Sequence, residues 1–289
     1  MRAVSITHKA QKTIARVVGS AQDGGVPQVG CHCTRCNYAR ANPEHARYPA
    51  SLAIVSPSGK LLVVDVTPSL PQQLDLLRDL FPRRQKLLPD AVLLTHAHVG
   101  HYAGLILFGR EIASTRGLPV CCTPRMRHFL ESNKPYRYLV ERGEVQIKDL
   151  KCGETLIYDR ALRIISVEVP HRNEDAETLA FIVKSKRSLF YAPDFDRYTE
   201  TIDRCVRDSD ISILDGCFWS REELLNRVYD DILHPTIMES RERLRGYENR
   251  VIFTHLNHTN PVLDRDSLLR AELEKQGFRI AKEGLDIFL

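Results

Sequence analysis

With 289 residues, 43% apolar and 27% charged, the chain has the length and balance of a large α/β domain that buries a sizeable core. A net charge of +4 without a long basic run gives no indication of a nucleic-acid partner, and no apolar stretch approaches the ~18 residues of a membrane span. Eight cysteines, in a chain whose opening segment 1–12 is polar and lacks an apolar leader, suggest metal rather than disulfides and a reducing, cytoplasmic setting.

Residues 13–19 read as a first strand, followed by a loop over 20–30 with Gly24, Gly25, Pro27 and Gly30, glycines that let a backbone approach a ligand or metal closely. No Lys-Ser/Thr pair follows, so the loop is a weak phosphate cradle. Cys31, Cys33 and Cys36 come next. Three thiolates at Cys-x-Cys-x-x-Cys spacing can wrap one tetrahedral zinc, with a fourth donor from elsewhere. His32 would have to fold back to serve, and a distant donor is the preferred reading. Segments 51–57 and 60–66 form a predicted hairpin around Pro57-Ser58-Gly59, and the second strand ends at Asp65, an acid that also suits a cap before Thr67 and Pro68. Leu70, Leu74, Leu77 and Phe81 recur at helical spacing and predict a helix over 68–81.

The densest signal follows. A buried strand, 91–94, runs into Thr95-His96-Ala97-His98-Val99-Gly100-His101, and a helix is expected over 102–108. His96 and His98, two apart on an extended turn, can point the same way, and His101 can approach from the side. Imidazoles so grouped at a strand end are metal ligands in the making. A short strand at 119–122 places Cys121 and Cys122 in the core, a helix starts at Pro124, and Tyr136 and Tyr138 fall on a polar loop that suits a substrate-facing role. Strand 162–169 ends at His171. Strands 178–183 and 188–192 follow, the second carrying Tyr191 and ending at Asp194. Strand 210–215 is followed by Trp219, a candidate for lining a pocket or packing in the core, and His234 precedes a helix from Thr236. Strand 250–254 leads to His255 and His258, then a helix at 268–276 and closing strands at 278–281 and 285–289. No Gly-, Pro- or Ser-rich linker interrupts the alternation, so residues 1–289 read as one domain.

Asp65, the His96/His98/His101 cluster, His171, Asp194 and His255 occur, in this order, at strand ends. The array resembles the metallo-β-lactamase fold superfamily and its His-x-His-x-Asp-His signature, with Gly100 standing where the family has an aspartate. The resemblance implies an α/β fold, a four-layer αββα sandwich with metal at the edge between two sheets. The stretch 19–28 with Cys31-His32-Cys33-Thr34-Arg35-Cys36 is similar to the PqqB and PhnP types. Asp215 to Trp219 and Thr259-Asn260-Pro261 look more like PqqB, and Thr254 to His258 more like PhnP. Carried over residue by residue, His96, His98 and His171 hold one metal, His101 and His255 a second, and Asp194 bridges them. Asp65 supports the site, and His258 completes a structural zinc with Cys31, Cys33 and Cys36. The ions expected are one structural zinc and one or two of Zn, Mn or Fe in the active site, the second weakened by Gly100. The implied chemistry is hydrolysis of an ester or phosphodiester of a small-molecule substrate by metal-bound water, with Asp194 holding that water and His234 or Tyr191 assisting the leaving group. Tyr191 and Trp219 are the candidate substrate contacts. The PqqB likeness implies an alternative, an iron-dependent oxidation in the biosynthesis of a cofactor or peptide-derived metabolite, and a non-catalytic small-molecule carrier is a third reading. A homodimer is compatible with all three.

Overall fold

Leu61-Leu62-Val63-Val64 sends alternate side chains to opposite faces, and every one of them is buried. A strand apolar on both faces must be covered on both, and the architecture follows from that demand. The computed structural model describes residues 12–224 and 233–289; of the opening segment 1–12, only Lys12 lies within them. The first half contains β1 (Ile14–Gly19), α1 (Thr34–Ala41), β2 (Ser51–Val55), β3 (Leu61–Val64), α2 (Leu70–Asp75), β4 (Ala91–Leu93), α3 (Val99–Tyr102), β5 (Leu118–Cys122), α4 (Pro124–Ser132), α5 (Tyr136–Glu141) and β6 (Val145–Asp149). The second contains β7 (Thr155–Asp159), β8 (Leu162–Val169), β9 (Thr178–Lys184), β10 (Ser188–Ala192), α6 (Glu200–Asp208), β11 (Ile211–Asp215), α7 (Ile237–Arg243), β12 (Val251–Thr254), α8 (Leu268–Lys275), β13 (Arg279–Ile280) and β14 (Asp286–Phe288).

The strands form two mixed sheets, ordered β14-β1-β2-β3-β4-β5-β6 and β13-β12-β11-β10-β9-β8-β7. In each, antiparallel pairing at one end gives way to parallel pairing from β3 to β6 and from β10 to β13. Leu62, Val64 and Leu93 of the first sheet meet Phe181, Leu189, Tyr191 and Ile213 of the second in a dry central layer. The outer face of the first sheet, with Val92 and Val120, is covered by Phe108, Met126, Leu130 and Leu139. The outer face of the second, with Phe190, Leu214 and Phe253, is covered by Ile202, Val206, Ile237 and Leu273. The result is the αββα sandwich the sequence implied. Among the described residues, no helix is long and apolar enough to cross a membrane.

Three local expectations are corrected. The helix over 68–81 is regular only through Asp75. Beyond it, Leu77, Leu80 and Phe81 donate to carbonyls three residues back, a tighter winding that still seats Leu77 and Phe81 on Val63 and Ala53. The helix expected at 102–108 begins earlier, at Val99, and becomes a 3-10 turn from Ala103 to Phe108. Val66 N donates to His101 O and Gly104 N to Val66 O, so the end of β3 interrupts the α-helical pattern; a Cβ on Gly104 would lie 2.1 Å from Thr67 O. Tyr136 and Tyr138 lie on α5 and not on a loop. The Tyr136 ring packs edge-on against Tyr102, and Tyr138 sits among Lys134, Arg137 and Arg142.

Candidate metal centre

The carboxyl ends of the parallel strands of both sheets converge at one edge of the sandwich. Two residues there, Asp65 after β3 and His255 after β12, hold positive φ angles of 65° and 59°, a conformation uncommon outside glycine. Asp65, fully buried, accepts hydrogen bonds from the backbone N–H of Thr95 at 2.8 Å, from the Thr95 hydroxyl, and from His101 Nδ1 at 2.7 Å. With its proton given to Asp65, the Thr95 oxygen accepts from His96 Nδ1 at 2.9 Å. His171 Nδ1 donates to Asp196 at 2.7 Å. These bonds fix the tautomers of His96, His101 and His171 with their Nε2 lone pairs facing inward.

The inward atoms form a first set. Asp194 Oδ2 lies 3.1 Å from His171 Nε2, 3.3 Å from His96 Nε2 and 3.8 Å from His98 Nδ1, and His98 Nδ1 lies 3.1 Å from His171 Nε2. Tetrahedral zinc with bonds of about 2.0–2.1 Å separates its ligand atoms by about 3.3 Å, so this donor set fits such an ion. A second set adjoins it: His255 Nε2 is 3.6 Å from Asp194 Oδ2 and 3.6 Å from Asp23 Oδ1, and His101 Nε2 is 3.2 Å from Asp23 Oδ1. His96 Nε2, His101 Nε2, both His255 nitrogens, Asp194 Oδ1 and Asp23 Oδ1 are buried without a hydrogen-bond partner. Buried polar atoms are seldom left so, and five side chains offering them at one place fit a cation.

Burial pushes the His171 ring toward neutrality, but Asp194 and Asp196 outweigh it and hold its pKa up to about 10. Asp194, despite burial, stays well below the usual carboxylate range because His255, His171 and His234 surround it. Metal binding here must displace protons, so affinity falls as pH drops. His234 Nδ1 lies 2.7 Å from Asp215 Oδ2 and 3.4 Å from Asp194 Oδ1. Burial lowers its pKa, but the two carboxylates hold it up to about 9.

Cys31, Cys33 and Cys36 lie 3.6, 3.6 and 3.7 Å (Sγ to Nδ1) from His258. Zinc bonds of about 2.3 Å to sulfur and 2.0–2.1 Å to nitrogen put the two atom types about 3.6 Å apart at the tetrahedral angle. Burial raises the Cys33 thiol, but the N–H of Cys36 and the ring of His258 outweigh it and hold it down to about 6. Arg35 locks the arrangement, pairing with Asp264 at 2.8 Å and donating to His258 O at 2.9 Å.

A cavity of about 390 Å³ opens over the histidines, walled by Asp23, His98, His171, Asp194, His234 and His255, with Gln28, Arg172, Phe218 and Asn257 at its sides. Two expected substrate contacts are absent from it. Tyr191 is 1% exposed and belongs to the central layer, because its β10 position faces the opposite sheet. Trp219 packs on the outer face of the second sheet under Arg241, since Phe218 O and Trp219 O accept the first N–H groups of α7 and turn the ring away. Phe218 takes the cavity position, its ring centroid 5.8 Å from that of His234. Trp219→Ala is therefore expected to lower stability by ~3 kcal/mol in denaturant titration with KM unchanged, whereas Phe218→Ala should alter KM.

Asp23, Asp196 and Asp215 are the site residues the sequence reading passed over. Asp23 and Asp215 lie within stretches that carry the family likeness and Asp196 lies two residues after Asp194, and only the folded chain brings them to the histidines.

Comparison with known proteins adds a family context. The family described as the beta-lactamase superfamily domain matches residues 61–256. The chain is similar to coenzyme PQQ synthesis protein B of Azotobacter vinelandii, 27% identical, covering 95% of this chain and 99% of the relative. It is 29% identical to its counterpart in Stutzerimonas stutzeri, covering 95% and 99%. Among solved structures, Zn2+-bound PqqB from Methylobacterium extorquens superposes with a TM-score of 0.81 at 25% identity, covering 96% of this chain and all of that one. A diphosphatase of the PhnP family superposes at 0.70 with 23% identity, covering 96% and 98%.

Proposed function

Because this chain belongs to the beta-lactamase superfamily, we propose that it is a metal-dependent hydrolase that cleaves an ester or phosphodiester bond of a small molecule. The observation that carries this reading is the convergence of imidazole and carboxylate atoms, their lone pairs aimed inward, on one wall of an open cavity. His96, His98, His171 and Asp194 would hold one ion. Asp194, His101 and His255 would contribute to a second. When bound, such ions supply Lewis acidity toward the scissile group and bring a water's pKa toward neutrality. Asp194, whose Oδ2 lies within 3.8 Å of four imidazoles, sits between the two ligand sets, where it would orient a water for attack. Asp65 and Asp196 keep the ring tautomers. His234, tethered to Asp215 and facing the cavity, is placed to give a proton to a leaving oxygen. Arg172 at the cavity side suits an anionic substrate. Cys31, Cys33, Cys36 and His258 would hold a zinc with no open position, which is a structural role.

The test is elemental analysis of protein purified without added metal, together with cleavage of bis(p-nitrophenyl) phosphate in Zn or Mn. Two or three ions per chain and metal-dependent cleavage are expected. The full-length likeness to coenzyme PQQ synthesis protein B favours a second reading, an oxidation in cofactor biosynthesis on a single iron. One iron per chain beside the cysteine-bound zinc, with oxygen consumption and no diester cleavage, would replace the hydrolase reading.

A further inference from the structure

Gly100 removes the aspartate that the superfamily signature places beside the third histidine. An ideal Cβ on Gly100 would lie 2.5 Å from Asp23 Oδ1 and 2.7 Å from Asp23 Cα. A side chain at position 100 and Asp23 thus compete for one volume, and in this chain Asp23 has it. Its Oδ1, buried and without a hydrogen-bond partner, lies 3.2 Å from His101 Nε2 and 3.6 Å from His255 Nε2, atoms that also lack partners. The loop holding Asp23 is fastened beside His255: Gln22 N donates to Leu256 O at 3.0 Å, and Leu256 N donates to Ser20 O at 2.9 Å. Gly25 N closes a turn onto Gln22 O at 2.8 Å, which fixes the carboxylate's direction.

From this geometry we infer that Asp23 is a ligand of the second active-site ion, supplied by the early loop in place of the carboxylate missing at position 100. The inference rests on the two-ion reading above and deepens it. With Asp23 the second site has His101, His255, Asp194 and Asp23, two imidazoles and two carboxylates, and regains the negative charge that Gly100 takes away. Such a nitrogen and oxygen set suits zinc or manganese.

The experiment is ion content by elemental analysis after equilibrium dialysis against zinc, with the cysteine-bound zinc as an internal marker of folding. Wild-type protein is expected to hold three ions and Asp23→Ala two, with affinity for the lost ion down at least tenfold. Asp23→Asn, which keeps the shape, should behave like Asp23→Ala. In manganese-loaded protein, the spin-coupled signal of an ion pair should give way to that of an isolated ion in Asp23→Ala. The double variant Asp23→Gly, Gly100→Asp should recover three ions. Three tightly held ions in Asp23→Ala and Asp23→Asn would overturn the inference, as would a double variant left at two. Wild-type protein holding two ions, one of them on the cysteines, would also overturn it while leaving the first histidine site intact. Wild-type protein holding only the cysteine-bound zinc would sink the hydrolase reading itself.

Discussion

Asp194→Asn is expected to strip both active-site ions and to lower kcat/KM by at least about a thousandfold, ~4 kcal/mol of transition-state stabilisation. The magnitude follows from position. One carboxylate oxygen of Asp194 lies within 3.8 Å of His171, His96, His255 and His98, and the other lies 3.4 Å from His234. Asp194 Oδ2 thus faces a ligand of each set at once, His171 of the first and His255 of the second. An amide has the same size but no charge, and one of its two ends is a donor, which would meet an imidazole lone pair or a cation. The zinc on the cysteines should remain, so ion content should fall from three per chain to one. Thermal unfolding of the metal-free proteins separates this loss from misfolding, since the metal-free variant should melt within a few degrees of metal-free wild type. A variant that keeps two ions at the histidines would show that Asp194 does not hold them.

Most of the frame and most of the candidate site are legible in the sequence, and the division has a physical cause. Strands that are apolar on both faces, such as 61–64 and 211–214, announce a buried sheet, and a His or Asp placed just beyond one announces a strand-end site. That is how His96, His98, His101, His171, Asp194 and His255 come to be named together. β6 and α6 do not stand out in the sequence although Val145 and Ile147 alternate and Ile202, Cys205 and Val206 share one face, because charged residues surround those few apolar positions. What a sequence does not display is which loop fills a deleted position. Gly100 reads as a weakened second metal until Asp23, on a loop notable in the sequence for its glycines and its family likeness, is found in the same volume. Asp215 and Asp196 are partners of imidazoles 19 and 25 residues away, a pairing set by sheet order and not by spacing. Phe218 and Trp219 show the same limit: the choice between cavity and core depends on where α7 begins.

Cys33→Ser carries the other large effect, and its reach is the informative part. The Cys33 sulfur lies 3.6 Å from His258 Nδ1 and accepts from the Cys36 N–H at 3.5 Å, so it serves both the proposed zinc and the start of α1. Structural zinc sites of this kind contribute on the order of 10 kcal/mol in small domains. In a chain with its own core, the loss of one ligand should cost ~3–4 kcal/mol, a fall in Tm of roughly 10 °C. The loop 31–36 is tied through His258 to the segment carrying His255, and it continues from the loop carrying Asp23. The first histidine site is built on β4, β8 and β10 and shares none of those connections. Affinity for the second active-site ion is therefore expected to fall at least tenfold in Cys33→Ser, with the first ion held as in wild type. Differential scanning fluorimetry with zinc titration reads both effects. Equal weakening of the two ions would mean the variant loosens the whole edge of the sandwich, and no weakening of either would mean the cysteine-bound zinc has no part in positioning Asp23 or His255. Selective loss of the second ion is the outcome in which one metal site sets the geometry of another through a loop anchored at both ends.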